Sequence, residues 1–295
     1  MKVDKKKIIQ SGKTVLGIEL GSTRIKAVLL DDRNETIAAG SHSWENSYQD
    51  GIWTYSLDEV WQGLQSSYSD LVKNVKEKYE VELKKIASIG ISAMMHGYLA
   101  FDQKDDLLVP FRTWRNNITE EASKKLREVF EYPIPQRWSI AHLYQSILNE
   151  EKHVSELNYM TTLAGYVHWQ LSGKKVLGVG DASGMFPIDI ETASFNSKML
   201  TKFDNLIADK NYDWEIEAIM PETLTAGEEA GRLTEVGAKL LDTSGKLEAG
   251  SLMCPPEGDA ETGMVATNSV APRTGNVSAG TSVFAMVVLE EELSK

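Results

Sequence analysis

The sequence predicts an α/β fold, short strands flanked by helices. Two observations carry this prediction. Short apolar strands run into polar turns and come back, first in LGIELGSTRIKAVLLDD (Leu16–Asp32) and again in IASIGISAMMHGYLAFDQ. Between and beyond them, apolar residues recur every three or four positions, the spacing of a helix face.

The elements follow in order. The opening MKVDKKKIIQSGK is basic and has no apolar core segment, so it does not read as a secretory signal. Residues 1–14 are expected to be a solvated lead-in. Leu16–Leu20 reads as a strand interrupted by Glu19, and Lys26–Leu30 as its return after Gly21, Ser22 and Thr23. A carboxylate at the tip of a buried strand is costly unless a cation or hydrogen-bond donors meet it. A Gly-Ser-Thr turn offers backbone N–H groups and two hydroxyls to an anion. Together they suggest a phosphate with its metal; an ordinary hairpin with a surface Glu fits equally well. Glu35–Asn46 holds a third strand and leads to a loop. Ser56 followed by Glu59 is a capping box, and Val60, Leu64, Tyr68, Leu71 and Val75 form an apolar stripe expected to face the core. IASIGISAMM is a buried strand, HGYLAFDQ its polar turn and return, and DDLLVPFRTWRNN leads to a further polar strand end.

The middle of the chain reads as helical in ITEEASKKLREVF, IAHLYQSILNEE and TLAGYVHWQLSG, the last stopped by Gly173. VGDASGMFPIDIETASFN reads as loop and strand. A short helix, a proline stop and a Gly-rich loop then precede the helix EVGAKLLD. Past Gly250 the chain turns rich in Gly, Ala, Ser and Val, with strand and turn signals. A domain boundary is expected between Gly250 and Pro256, giving a first domain over 15–253 and the start of a second over 254–295. The ~40 residues after it are too few for an independent core.

Composition narrows the function classes. A net charge of −12 over 295 residues argues against nucleic acid or an anionic membrane as the main partner. The single cysteine, Cys254, leaves neither an intramolecular disulfide nor a Cys-rich zinc site, and fits a reducing, cytoplasmic setting. No apolar run reaches the ~18–20 residues needed to span a bilayer.

Polar chemistry gathers at strand ends: Glu19–Thr23, Met95–His96 and Trp114–Asn117. EGDAETG adds Asp259 on a Gly turn, and SAGTS (Ser278–Ser282) adds a second Gly/Ser/Thr turn between strands. Two such hairpins facing each other would clamp a polyphosphate. No Walker A motif is present, which excludes a P-loop enzyme. Taken singly, Asp259 reads more readily as an Asx turn, His96 as a core histidine and Trp114 as a packing residue. His42, His142, His153 and His168 show no metal-ligand spacing. Asp181 and Ser183 read as a structural loop feature.

The ordered set GIELGSTRIKAVL, IGISAMMHG, TWRNN, GDASGMFPID, AGRLTEVGAKLL, EGDAETGMV and NVSAGTS resembles the FGGY family of carbohydrate kinases. This family has two domains and an actin-like, ribonuclease-H-like ATPase fold, so the resemblance implies a mixed five-stranded sheet, largely antiparallel and then parallel, flanked by helices. Any one motif is weak; their order is specific. The resemblance implies a sugar-binding first domain over 15–253 and the opening of the nucleotide domain over 254–295. It implies ATP and Mg²⁺ as co-substrate and cofactor. Gly21, Ser22 and Thr23 match the first phosphate hairpin, with Arg24 and Lys26 near the phosphates, and Gly280 and Thr281 match the second. Glu19 stands where the family has Asp beside the metal, with Asp259 as catalytic base, sugar contact and second metal-side carboxylate. The extra methylene of Glu19 moves its carboxylate by ~1.5 Å, one C–C bond.

Met95-His96 resembles the Met-His pair of xylulokinases, where glycerol kinases have Arg-Glu. Trp114-Arg115-Asn116 resembles a W-x-D element with Asn for Asp, so Trp114 and Asn116 are expected in the sugar pocket. The activity implied is transfer of the γ-phosphate of ATP to a ketose hydroxyl, with xylulose favoured. A catalytically weakened sugar-binding module, or a kinase for ribulose, fuculose or gluconate, remains open. The expected partners are a sugar and MgATP, with no nucleic acid and no membrane; a homodimer is compatible. The family's second domain is much longer than 254–295, so the 295-residue chain alone is expected to bind sugar weakly and not to act as a kinase.

Overall fold

A computed structural model describes residues 4–279 and 283–291. The lead-in is not simply solvated. Helix α1 (Lys5–Gln10) starts on Asp4, whose side chain accepts the Lys7 amide, and it buries Ile9 in the core. Of the two isoleucines in this basic run, Ile9 docks the turn. Strands β1 (Val15–Leu20), β2 (Arg24–Leu30) and β3 (Thr36–Ser43) then form an antiparallel meander. Between β2 and β3, Asp31 Oδ1 accepts the amides of Arg33 and Glu35 at 3.0 and 2.9 Å and closes the turn. Where a plain loop was expected, β4 (Ser47–Gln49) and β5 (Ile52–Thr54) make a small hairpin.

Helix α2 (Leu57–Tyr79) has the expected capping box at Ser56 and Glu59 and buries the predicted stripe. It packs on β3 at Gly40, where a Cβ would run into the Ser67 carbonyl and the Leu71 amide. The chain then inserts β6 (Ser88–Ala93) parallel to β1. The return strand after His96, β7 (Leu99–Phe101), leaves this sheet and pairs with β8 (Tyr159–Thr161). The segment FRTWRNN is not a strand: it makes a single bridge, Tyr98 to Arg112, and then turns at Trp114.

A helical layer follows. It comprises α3 (Glu120–Phe130), α4 (Ser139–Leu148) and α5 (Leu163–Ser172), which ends on left-handed Gly173 as the glycine signalled. Next come β9 (Val176–Gly178), α6 (Val179–Ala182), the pair β10 (Ile188–Asp189) and β11 (Ser194–Phe195), α7 (Ser197–Ile207), β12 (Glu222–Leu224), which pairs with β9, and α8 (Glu235–Leu241). Two short strands, β13 (Leu252–Met253) and β14 (Glu257–Gly258), both add parallel to β6. Helix α9 (Asp259–Ala266) and the hairpin β15 (Gly275–Ala279) and β16 (Val283–Val287) complete the described chain.

The main sheet therefore runs β13-β6-β1-β2-β3, with β14 sharing the outer place beside β6. It has five positions, antiparallel on one side and parallel on the other, as the family resemblance implied. One apolar core surrounds this sheet and α2; a second lies among α3, α4 and α7. The register fixes the site. Leu20 pairs with Ala93, and Ala93 with Gly258, so three neighbouring parallel strands end level. In open α/β sheets, the space beyond such carboxyl ends is where ligands bind.

Candidate functional site

The residues that follow those three strand ends, Gly21, Met94 and Asp259, open a cleft of about 840 Å³. Its floor is the β1–β2 turn. Gly21 donates its amide to the Arg24 carbonyl at 3.0 Å. From behind, the Trp44 indole donates to the Gly21 carbonyl at 2.7 Å and the Tyr55 hydroxyl to the Ser22 carbonyl at 2.6 Å. The Trp114 indole donates to Ser22 Oγ at 3.2 Å. The turn is thus held rigid before any ligand arrives. Gly21, Ser22, Thr23, Arg24 and Lys26 all line the cleft. Glu19 is met by the cation its position calls for: Lys26, its cross-strand neighbour, lies 3.0 Å from it.

The second wall is Met95-His96. The Met95 amide donates to Asp259 Oδ1 at 3.3 Å, tying this loop to α9. His96 Nδ1 lies 3.2 Å from the Gly184 carbonyl. A carbonyl only accepts, so Nδ1 carries the proton. Burial, with help from the Arg137 charge, lowers the His96 pKa to about 4, so at neutral pH the ring is neutral and Nε2 is an acceptor.

Asp259 does not sit on a free turn. It is the first residue of α9, because AETGMVA continues as helix from Gly258. The helix start favours a carboxylate there. Burial raises its pKa, the Met95 amide pulls it back, and the negative charge of Glu19 raises it again. Glu19 and Asp259 therefore stand within electrostatic reach of one another. Among the described residues no group of three His, Cys, Asp or Glu side chains is placed to hold a metal ion. Mg²⁺ commonly takes only one or two carboxylates and keeps its waters, so the pair Glu19 and Asp259 fits it.

Two site residues escaped the sequence. Glu261 lines the cleft with a buried Oε2 that lacks a partner, and burial raises its pKa to about 7. Arg137 lines the cleft beside His96. The alternating acids of EGDAE were a legible signal for Glu261. Glu257, the first of them, accepts the Asp181 amide at 2.9 Å behind the site. Nothing local marked Arg137, which reaches the cleft from the α3–α4 connection.

Trp114 lines the cleft, but Asn116 does not. Its amide is buried and spent on backbone: Nδ2 donates to the Trp53 and Thr113 carbonyls at 2.8 and 3.0 Å, and Oδ1 accepts the Trp53 amide at 2.9 Å. Asn116 thus corrects the expectation of a sugar contact; it fastens the β4–β5 hairpin. Gly280 and Thr281 lie outside the described residues. Their neighbours Ser278 and Val283 line the cleft.

Solved structures similar to this one include carbohydrate kinases. Xylulose kinase from Rhodospirillum rubrum superimposes with a TM-score of 0.78 over 93% of this chain and 55% of that chain, at 16% identity. Xylulose kinase from Lactobacillus acidophilus, with ligand bound, gives 0.76 over 92% and 53%, at 17% identity. The fold is the actin-like, ribonuclease-H-like one. Residues 14–244 match the N-terminal domain of the FGGY family of carbohydrate kinases, and the chain belongs to that family. By sequence it is 21% identical to xylulose kinase of Klebsiella pneumoniae over 95% of this chain and 55% of the relative. It is 29% identical to gluconokinase of Bacillus subtilis over 39% of this chain and 21% of the relative. The chain spans about half the length of the curated relatives it matches over most of its residues. Among the described residues no helix is long and apolar enough to cross a membrane.

Proposed function

We propose that the cleft binds a ketose, with xylulose favoured, and presents one of its hydroxyls to the γ-phosphate of ATP. The observation that carries this reading is the Met95–Asp259 contact, which brings the candidate sugar loop and the candidate base to one wall. Asp259 accepts the proton of the attacking hydroxyl. His96, fixed with its proton on Nδ1, accepts a hydrogen bond from a sugar hydroxyl at Nε2, and Trp114 walls the ring. The backbone N–H groups of Ser22 and Thr23, with Arg24 and Lys26, meet the phosphates, while Gly21 shapes the turn. Glu19 and Asp259 would hold Mg²⁺, which when bound neutralises phosphate charge. Gly280 and Thr281 are assigned to the second phosphate turn by family resemblance alone.

We place the sugar domain at 15–253 and the opening of the nucleotide domain at 254–295; among the described residues β15 and β16 pair only with each other, which supports a break beyond α9, while β14 still belongs to the main sheet beside β6. We place the protein in the cytoplasm, in keeping with the free thiol of Cys254. The pairing of Glu19 with Lys26 favours a second reading, a sugar-binding module of weak activity.

Calorimetry with xylulose, ribulose, glycerol and gluconate, alongside a coupled assay with MgATP on a protein that carries both family domains, tests the reading. A ketopentose should bind and turn over ahead of glycerol; preference for glycerol would contradict it. Binding without turnover would favour the second reading. Removing the His96 ring by His96→Ala should weaken ketose binding by about 1–3 kcal/mol, the cost of leaving a hydrogen-bonding group unsatisfied.

A further inference from the structure

His96 and Gly97 are consecutive left-handed residues, with φ of 68° and 93°. For a non-glycine residue this conformation is uphill, so something must hold it. Gly97 cannot take a side chain, since a Cβ would lie 2.7 Å from the Arg112 carbonyl and against the Phe111 ring. Its peptide groups are held from one short segment. The Gly97 amide donates to the Arg137 carbonyl at 3.3 Å, and the Gly97 carbonyl accepts from Ser139 Oγ at 2.6 Å. Ser139 is fully buried at the first position of α4 and is absent from the cleft lining.

The same helix start reaches the other side of the imidazole. The Ile140 amide donates to the Met185 carbonyl at 3.1 Å. Met185 follows Gly184, whose carbonyl receives the His96 ring proton. One turn of α4 therefore fastens both the backbone that carries His96 and the acceptor that selects its tautomer.

We propose that Ser139 is a positioning residue: its hydroxyl locks the Gly97 peptide and thereby sets the His96 ring in the orientation and tautomer that present Nε2 to the acceptor sugar. The hydroxyl acts through His96 and touches no ligand itself. The charged and titratable groups that bear on the ring are Arg137, from the segment before α4, and His142, buried inside α4. The part of this proposal that concerns sugar rests on the reading of the cleft given above; the ring geometry does not.

The test is ¹⁵N NMR of the histidine rings in the unliganded protein, followed by calorimetry with xylulose. The native His96 should show one tautomer, protonated at Nδ1, with no titration step near 6.5 and a midpoint near 4. In Ser139→Ala the ring should become a tautomer mixture, its midpoint should rise toward 6.5 as the ring leaves its buried place, and xylulose should bind about tenfold more weakly. Ser139→Thr, which keeps the hydroxyl, should restore the native ring signals. Ser146→Ala removes another buried hydroxyl of α4, one bonded to the His142 carbonyl and to Arg112. It should leave the His96 signals unchanged.

Native-like ring signals in Ser139→Ala overturn the proposal, as do equal changes in Ser139→Ala and Ser146→Ala. So does a native ring protonated at Nε2, a measurement that needs no variant to fold. A ring that responds as expected in a protein that binds no xylulose upholds the positioning role and rejects the reading of the cleft.

Discussion

In a protein that carries both family domains, replacing Asp259 by Asn should lower turnover with MgATP and the preferred sugar by about 10²–10⁴-fold, the usual worth of a positioned general base. Asn keeps the size of the side chain, and its carbonyl oxygen can still accept the Met95 amide that now meets Oδ1 at 3.3 Å. The loop that carries His96 therefore stays in place, and sugar affinity should change little. What is lost is the lone pair that takes the hydroxyl proton.

The pH dependence follows from the site. A base works unprotonated, so turnover falls as pH drops through its pKa. Burial first, and then the charge of Glu19, raise that pKa above the ordinary carboxylate value. The acid limb should accordingly lie above 3.8, and Asp259→Asn should abolish it. The same shift has the opposite effect on stability. The folded protein holds this proton more tightly than the unfolded chain, so the Asp259 contribution to stability grows as pH falls through the raised value. Glu261, raised to about 7, titrates nearby, and Glu261→Gln separates its limb from that of Asp259. A loss of less than tenfold in Asp259→Asn, about 1.4 kcal/mol of barrier, would remove Asp259 from the role of base.

Asn116→Asp should destabilise the protein by about 3–5 kcal/mol at pH 8, the range for an uncompensated buried charge. The side chain is 2% exposed. Its Nδ2 serves two carbonyls at 2.8 and 3.0 Å, so the amide orientation is set by its partners. An aspartate would turn an oxygen toward both. The variant can recover one contact only by taking a proton and donating it, so the deficit should shrink as pH is lowered. Chemical denaturation at pH 8 and pH 5 measures both effects. A change of under about 1 kcal/mol at pH 8, the ordinary range of neutral surface substitutions, would mean that the amide is free to meet ligand after all.

The contrast between these two residues shows what was legible. Asp259 was singled out because it lies in EGDAETG at the expected domain junction and matches the catalytic base of the family the chain resembles. The structure moved it from a turn to a helix start without removing it from the cleft. Asn116 was singled out by its place two residues after Trp114, but adjacency in sequence does not tell which way a turn faces. Trp114 faces the cleft, whereas Asn116 faces the backbone of Trp53, 63 positions away.

By itself the sequence determined the α/β class, the strand-turn-strand hairpin at Glu19–Thr23, the capped helix after Ser56, the Gly173 stop and the order of motifs. These are written in local patterns: alternation in strands, three-to-four spacing in helices, and turn and cap residues at fixed offsets. Only the tertiary structure decided that β1, β6 and β14 end level, that Lys26 answers Glu19, that Glu261 and Arg137 enter the cleft, and that Ser139 holds the peptide behind His96. Those facts depend on strand register and on contacts between residues tens to more than a hundred positions apart. Local propensity carries no record of them, because they arise only when separate elements bury their apolar faces against one another.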